Sequence, residues 1–398
     1  MFLYVVEAGL EDGYTSFALG TFSFLQVCRC WNEVAVGFPQ LWVWWIPGAV
    51  KAWHLFKSRS KDAPLFLTWK SHLPNSARDI LTGTGTPKRI RQLYFYGDSE
   101  ELEQFLAALD SCTTSITSSI RLHGLRFSKN GKDLTRFFSL SFPKLSKLDL
   151  KDYLPDSSSS ILKTSNLTSL KLNLQDPDPR RYTLSQLSRV LQQHPNLQEL
   201  ELQEGALPPV EKSGTPAPVV LPRLIDLSLC GSNTSIAGFI DLVSMSSPLH
   251  NVTVRFSSTS ALAPISTAKK LLTAYYECEG LEYPRKVNRL NVSSGPLGKD
   301  LIVDAVSHST SASHPTYHLK LQFRQLGDGL ARKIIPLVPL KRVNEFTVER
   351  LSYLFTDDWR KALRKMKGLM RLRLDNMDIE PVLDALGPDT GCMYGEAA

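Results

Sequence analysis

From about residue 87 onward, apolar positions recur in the pattern Leu-x-x-Leu-x-Leu, with Ile, Val or Phe as substitutes. The clearest copies are Leu145/Leu148/Leu150, Leu167/Leu170/Leu172, Leu197/Leu200/Leu202, Leu224/Leu227/Leu229 and Leu369/Leu372/Leu374. Looser copies are Ile90/Leu93/Phe95, Leu249/Val252/Val254, Val287/Leu290/Val292 and Val343/Phe346/Val348, and the pairs Ile120/Leu122 and Leu319/Leu321 fill two gaps. Within a copy, apolar and polar residues alternate, as Leu200 and Leu202 do with Glu199, Glu201 and Gln203. That period of two predicts a strand with one buried face. Between copies the period changes. In Tyr182–Gln193 the apolar residues Leu184, Leu187, Val190 and Leu191 fall at three- and four-residue steps, which predicts an amphipathic helix stopped by His194-Pro195-Asn196. Similar helices are expected over Glu100–Leu109, Ile236–Met245 and Thr356–Met366, and shorter ones over Lys269–Tyr276 and Asp300–Val306.

Central residues of successive copies lie roughly 22 to 38 positions apart, a spacing that centres on the 20–29-residue period of leucine-rich repeats. One helix and one strand cannot bury their own apolar faces, so neighbours must stack. The expected fold is therefore an α/β leucine-rich-repeat solenoid, a horseshoe with strands on the concave side and helices on the convex side. The Asn or Cys that often follows the last leucine is replaced by Tyr153, Gln175, Gly205, Ser232, Gly295 and Met377, so stacking must rest on apolar contact. Inserts at Asp152–Ser160 and Pro208–Pro222 read as exposed loops. The organisation expected is a helical segment over 1–47, a helix, strand and linker over 48–86, the solenoid over 87–386 and a tail over 387–398.

Composition narrows the function. The 398 residues are 42% hydrophobic and carry a net charge of +7, mild for this length and short of a nucleic-acid binder's footprint. No stretch of 18 apolar residues is present to span a membrane. Met1–Leu10 is apolar but has no basic residue ahead of it, which makes a poor signal peptide. The cysteines, Cys28, Cys30, Cys112, Cys230, Cys278 and Cys392, show no paired spacing and read as free thiols of a cytoplasmic or nuclear protein. Sequons at Asn166, Asn233, Asn251 and Asn291 would allow a secreted, glycosylated receptor, but Asn251 and Asn291 fall inside predicted strands. The histidines are scattered. His314 and His318 are four apart, but Pro315 breaks the helix a metal pair would need. Thr82–Lys88 lacks the Gly-Lys-Ser/Thr ending of a phosphate loop. No enzyme, metal or cofactor is expected.

The N-terminal segment differs from the rest. Phe24, Val27, Cys28, Trp31 and Ala35 form a helical stripe, followed by Phe38-Pro39-Gln40-Leu41-Trp42-Val43-Trp44-Trp45. Trp31, Trp42, Trp44 and Trp45 are suited to cap the first repeat. The run Val27-Cys28-Arg29-x-Trp31-x3-Ala35-x3-Pro39-x-Leu41-Trp42 resembles the C-terminal half of an F-box, most like the form in large families of fungal F-box proteins with degenerate leucine-rich repeats. There the box runs into a helix and a Ser/Ala-Pro-Leu strand, to which Trp53–Arg59 and Asp62-Ala63-Pro64-Leu65-Phe66-Leu67 are similar. Met1–Gly20 does not match the Leu-Pro opening of the box, so its N-terminal half is missing or divergent.

The resemblance implies a non-enzymatic substrate receptor of a cullin–RING ubiquitin ligase. Leu25, Val27, Cys28, Trp31, Pro39, Leu41 and Trp42 would build or brace the docking surface for a Skp-type adaptor. The repeats would hold an unidentified protein substrate. Residues flanking the strand leucines project to the concave face. Along the chain they are Gln92, Tyr94, Tyr96, Arg121, His123, Lys147, Asp149, Lys151 and Lys171, then the acidic Glu199, Glu201 and Asp226, then Arg255, Arg289, Lys320, Glu345, Glu349, Arg371 and Arg373. Blocks of opposite sign with tyrosines between them suit a protein partner better than a nucleic acid. An interaction scaffold without a ubiquitin link is the alternative.

Overall fold

Among the described residues the Leu-x-Leu pairs lie on strands, buried in all but the last of them, and the sheets form by matching rung to rung. The computed structural model describes residues 28–45, 53–70, 89–97, 117–124, 135–174, 181–203, 205–208, 216–244, 249–257, 263–276, 287–294, 300–307, 316–324, 330–351 and 354–387. The protein is mixed α/β with a largely parallel sheet, and the chain divides into two units, Met1–Leu172 and Asn173–Ala398.

The first unit contains helix α1 (Arg29–Gly37), a 3-10 turn at Pro39–Trp42, β1 (Trp44–Trp45), α2 (Trp53–Ser60), β2 (Leu65–Lys70), β3 (Ile90–Gly97), β4 (Ser119–Gly124), the short α3 (Thr135–Phe138), β5 (Lys147–Lys151) and β6 (Ser169–Asn173), in which the unit ends. The strands lie side by side in chain order, and β1 through β5 pair in parallel. Leu93, Ile120 and Leu148 form one rung across β3, β4 and β5, and Phe95, Leu122 and Leu150 form the next. Ile120, Leu122, Leu148 and Leu150 are fully buried. Each such leucine contributes about 1.5–3 kcal/mol by leaving water. Arg89 closes the turn after α2, donating to the Ala63 carbonyl at 2.8 and 3.1 Å and to the Ser60 hydroxyl at 2.8 Å.

The second unit begins with α4 (Leu184–Gln192) and β7 (Glu199–Leu202). The Thr183 hydroxyl accepts the Gln186 N–H at 3.1 Å, and the Gln186 side chain accepts the Thr183 N–H at 2.9 Å. This reciprocal cap satisfies two orphan donors and fixes where the helix starts. There follow β8 (Val219–Val220), β9 (Asp226–Gly231), α5 (Asn233–Leu242), β10 (Val243–Ser244), β11 (Asn251–Phe256), α6 (Ala263–Tyr276), β12 (Arg289–Ser294), β13 (Leu301–Ser307), β14 (Tyr317–Phe323), α7 (Leu330–Ile334), β15 (Glu345–Glu349), α8 (Thr356–Lys365), β16 (Arg371–Asp375) and α9 (Glu380–Leu386). The sheet order in this unit is β7-β9-β11-β14-β13-β12-β15-β16, and β8 and β10 pair separately. The Asp358 carboxylate accepts the Phe355 N–H at 3.2 Å where α8 begins, with Arg364 and Lys365 in its last turn. Both suit the helix dipole.

Three expectations are corrected. The helix expected over Asp300–Val306 is the strand β13, antiparallel to both β12 and β14. Ile302, Val303 and Val306 are β-branched, and Leu301, Val303 and Ala305 are buried at a period of two, so the segment satisfies a sheet better than a helix. As a consequence the repeats do not stack strictly in chain order: β14, not β12, lies beside β11. The inserts are also less exposed than expected. Leu154, Pro155 and Ser157 are buried in the first, and Val219 and Leu221 in the second, because each carries its own apolar anchors. The helix expected over Glu100–Leu109, the linker over 75–88 and nearly all of the tail lie outside the described residues.

Candidate partner-binding faces

The first unit's β3, β4 and β5 present their polar positions on one face, and the register sets them in rows. Tyr94, Arg121 and Asp149 share one row, and Tyr96, His123 and Lys151 the next. The Arg121 guanidinium lies 2.9 Å from the Asp149 carboxylate and 5.6 Å above the Tyr94 ring. The Tyr94 hydroxyl meets His123 Nδ1 at 3.2 Å, and the rings meet edge to face with centroids 5.2 Å apart. On its other side, His123 Nε2 is 3.7 Å from Asp149, an ion pair when the imidazole is protonated. Exposed ion pairs add at most about 1 kcal/mol to stability. The consequence here is order: each side chain of the cluster is held by two others before any partner arrives, which lowers the entropy cost of binding. Arg121 is exposed within it, Tyr96 and Lys147 are exposed on the same strands, and Lys171 on β6 is half-buried.

Tyr153 occupies a position where many repeats place asparagine. Its hydroxyl donates to the Gly97 carbonyl at 3.0 Å, across the end of β4, and its ring lies against Gly124. A Cβ at Gly124 would sit 3.1 Å from that ring, so the glycine permits the crossing. Tyr153 therefore ties β3 to the turn after β5. The sequence signals this residue only as a departure from the repeat pattern.

In the second unit, Glu199, Asp226 and Asn251 share a row over β7, β9 and β11, and the Asn251 amide donates to Asp226 at 2.6 Å. Glu199, Glu201 and Asp226 are half-buried, while Arg255 and Lys320 are exposed. Arg289, Glu345 and Arg371 lie in register on β12, β15 and β16. Glu345 accepts from Arg289 at 2.7 Å and from Arg371 at 3.1 Å. Arg373 pairs with Asp375 at 2.7 Å, and Glu349 with Arg350 at 3.2 Å. Arg121 with Asp149, and Glu345 with Arg289 and Arg371, are thus cross-strand pairs, whereas Arg373 and Glu349 pair within their own stretch of chain. Asp304 on β13 is missed by the sequence analysis because the segment reads there as a helix. It lies opposite Lys320 on β14 and Asn291 on β12. Burial holds its carboxyl above the usual carboxylate range, against the opposing pull of Lys320, His318 and Arg289.

In the N-terminal segment, Leu25 and Val27 lie outside the described residues. Cys28 precedes α1 and is exposed. Trp31 is 43% exposed, as are Val34 at 64% and Val36 and Phe38 to lesser degrees. Pro39 opens the 3-10 turn, Leu41 is half-buried and Trp42 is fully buried. The Trp42 indole N–H donates to the Ala35 carbonyl at 2.7 Å, its ring meets Phe56 edge to face at 5.5 Å, and Arg59 lies 4.3 Å above it. Trp42 binds α1 to α2 from inside, whereas Trp31 faces solvent.

Among the described residues no group of three or more His, Cys, Asp or Glu side chains is arranged to hold a metal. No described helix is long and apolar enough to cross a membrane. Cys28 and Cys30 are exposed free thiols. Of the sequons, Asn233 is buried in the first turn of α5, and Asn251 and Asn291 lie within β11 and β12. No protein-family model matches the sequence. No curated protein matches it. Among solved structures, the Rad7 and Elc1 complex from yeast is similar at a TM-score of 0.36 and 13% identity, over 95% of this chain and 95% of that one. A likeness of that degree fixes neither the fold nor a partner.

Proposed function

We propose that this chain is a leucine-rich-repeat solenoid that acts, without catalysing any reaction itself, as the substrate receptor of a cullin–RING ubiquitin ligase in the cytoplasm or nucleus. The F-box-like segment docks on a Skp-type adaptor, and the strand faces grip a protein substrate. The observation that carries the reading is the split between Trp31 and Trp42. Helix α1 exposes Trp31 and Val34, one helical turn apart, and Val36 and Phe38 are exposed at its C-terminal end, while Trp42 holds the helix through the Ala35 carbonyl. Clustered exposed apolar residues on a braced helix are what a docking surface requires. The polar faces of β3–β5 and of β12–β16 support the receptor half, since they offer tyrosines and arginines already held in place. The rate gain in such an assembly is proximity, supplied to an enzyme elsewhere in the complex.

Co-expression with a Skp-type adaptor tests the reading. The expected result is a complex that survives size exclusion and is lost in a Trp31→Ala/Val34→Asp double variant whose melting temperature matches the parent. No complex with the parent chain removes the ligase link and leaves a scaffold whose strand faces bind a partner directly. Retention of the complex by the double variant would move the docking surface away from α1.

A further inference from the structure

Every Leu-x-Leu strand of the second unit except one hides its rungs. In β15, Phe346 and Val348 are buried to 1% or less, but in β16 Leu372 and Leu374 are only half-buried. Among the described residues β16 pairs with β15 alone. The Arg371 N–H donates to the Asn344 carbonyl and the Asp375 carbonyl accepts from the Arg350 N–H, both at 3.0 Å. In a parallel ladder the residues between these turn their N–H and C=O the other way, so Leu372 and Leu374 present unpaired backbone along the open edge. The chain around this edge is apolar and exposed: Met370 just before the strand, and Ile379, Leu383 and Leu386 in and beside α9. The strand has no bulge and no proline, and its charged residues carry both signs, so the open edge can pair with a strand of complementary charge.

We propose that this edge joins a second copy of the same chain, β16 against β16, antiparallel about a two-fold axis at Arg373. The strand, Arg371-Leu372-Arg373-Leu374-Asp375, is its own complement in that register. Arg371 falls opposite Asp375 of the other copy, twice over by symmetry, and Leu372 falls opposite Leu374, so the two open sets of backbone groups meet. Opposite charges directly across a strand pair are favourable and like charges are not. Sliding the register one way sets Arg371 against Arg373. Sliding it the other way sets Leu372 against Asn376, where a φ of 52° ends the strand. The two Arg373 side chains at the axis are each already paired with their own Asp375 at 2.7 Å. Arg371, held to Glu345 at 3.1 Å, has further N–H groups to offer the incoming carboxylate. The contact is isologous and closes on itself, so it yields a dimer and not a fibre.

Sedimentation of the full chain as concentration rises tests this. The expected mass is twice 44.5 kDa. Asp375→Arg alone puts Arg opposite Arg and should return the monomer, while Arg371→Asp combined with Asp375→Arg restores complementarity and the dimer. Leu383→Lys, at an exposed position, should weaken the dimer and leave the melting temperature unchanged. A parent chain that stays monomeric up to its solubility limit overturns the proposal. So does a dimer that persists in both Asp375→Arg and Leu383→Lys, or a charge swap that melts like the parent yet stays monomeric.

Discussion

Within the second unit, two stretches of sheet carry the same rungs and return the chain in opposite ways. Between β9 and β11, which run parallel, the chain returns through α5 outside the sheet. Between β12 and β14 it returns through β13, inside the sheet and antiparallel to both neighbours. The rungs pass through the second arrangement unbroken. Val254, Leu321, Val303 and Val292 are register partners in turn across β11, β14, β13 and β12, and Val252, Leu319, Ala305 and Leu290 make the rung beside them. The repeat pattern thus specifies which side chains must meet, while the segment between repeats specifies the direction. Ser232 begins a helix by accepting the Ser235 N–H at 3.1 Å. Leu301–Ser307 is rich in β-branched residues, buries Leu301, Val303 and Ala305 on one side and joins the sheet as a strand.

The comparison is broken most directly by removing one rung from each stretch. Leu229 on β9 and Leu321 on β14 are both fully buried. Leu229→Ala and Leu321→Ala should each cost about 2–5 kcal/mol, as transfer and cavity terms add. Urea unfolding measures both. Near-equal losses mean that the antiparallel insertion is as much core as the helix-connected strands. A loss at Leu321 below about 1 kcal/mol, far from the usual core range, would make β12–β14 an attachment whose rungs carry little of the fold.

A smaller effect sharpens the other half of the comparison. If the cap at Ser232 directs the chain into a helical return, Ser232→Ala should cost about 1 kcal/mol, the usual worth of such a cap. It should also raise amide exchange in the first turn of α5 ahead of the flanking strands. Uniform acceleration across β9, α5 and β11 would show that packing holds the helix start and that the cap adds nothing local.

These two stretches also mark how far the sequence alone could be read. Most strands were legible because burial on one face imposes alternation, and even in the loose copy Val343/Phe346/Val348 all three residues are buried, the last two on β15. Helices with a clear apolar stripe or terminal signal were legible as well: α4 with Leu184, Leu187, Val190 and Leu191 ahead of His194-Pro195-Asn196, and α8 with Asp357 and Asp358. β13 was missed because interval length suggested a helix there, and length does not distinguish a return leg outside the sheet from one inside it. The exposed-face residues were legible as positions, since alternation gives them directly. Their pairing was not. That Tyr94 meets His123, or that Glu345 takes both Arg289 and Arg371, depends on which strands become neighbours. At the N-terminal segment the sequence grouped Trp31 with Trp42, and only packing separates the exposed residue from the brace.

Asp304 gives the finest probe, because it exists in the sheet only through the insertion. Burial is the largest influence on its carboxyl and raises its pKa; Lys320, His318 and Arg289 act the other way and do not cancel it. A carboxyl whose pKa is higher folded than unfolded binds its proton more tightly in the folded state. Its contribution to stability is therefore fully present below the ordinary carboxylate range and is lost as pH rises through the raised value. Asp304→Asn removes that loss. The variant should be more stable than the parent at neutral pH, by less than about 1 kcal/mol because the site is open enough for solvent to screen it. The advantage should shrink to nothing as pH falls below about 4, where the parent's carboxyl is protonated in both states. Urea midpoints of parent and variant across that range measure the difference. A variant less stable than the parent at neutral pH would mean that the pairing with Lys320 outweighs burial, and that β13 sits in the sheet as a charge-matched strand.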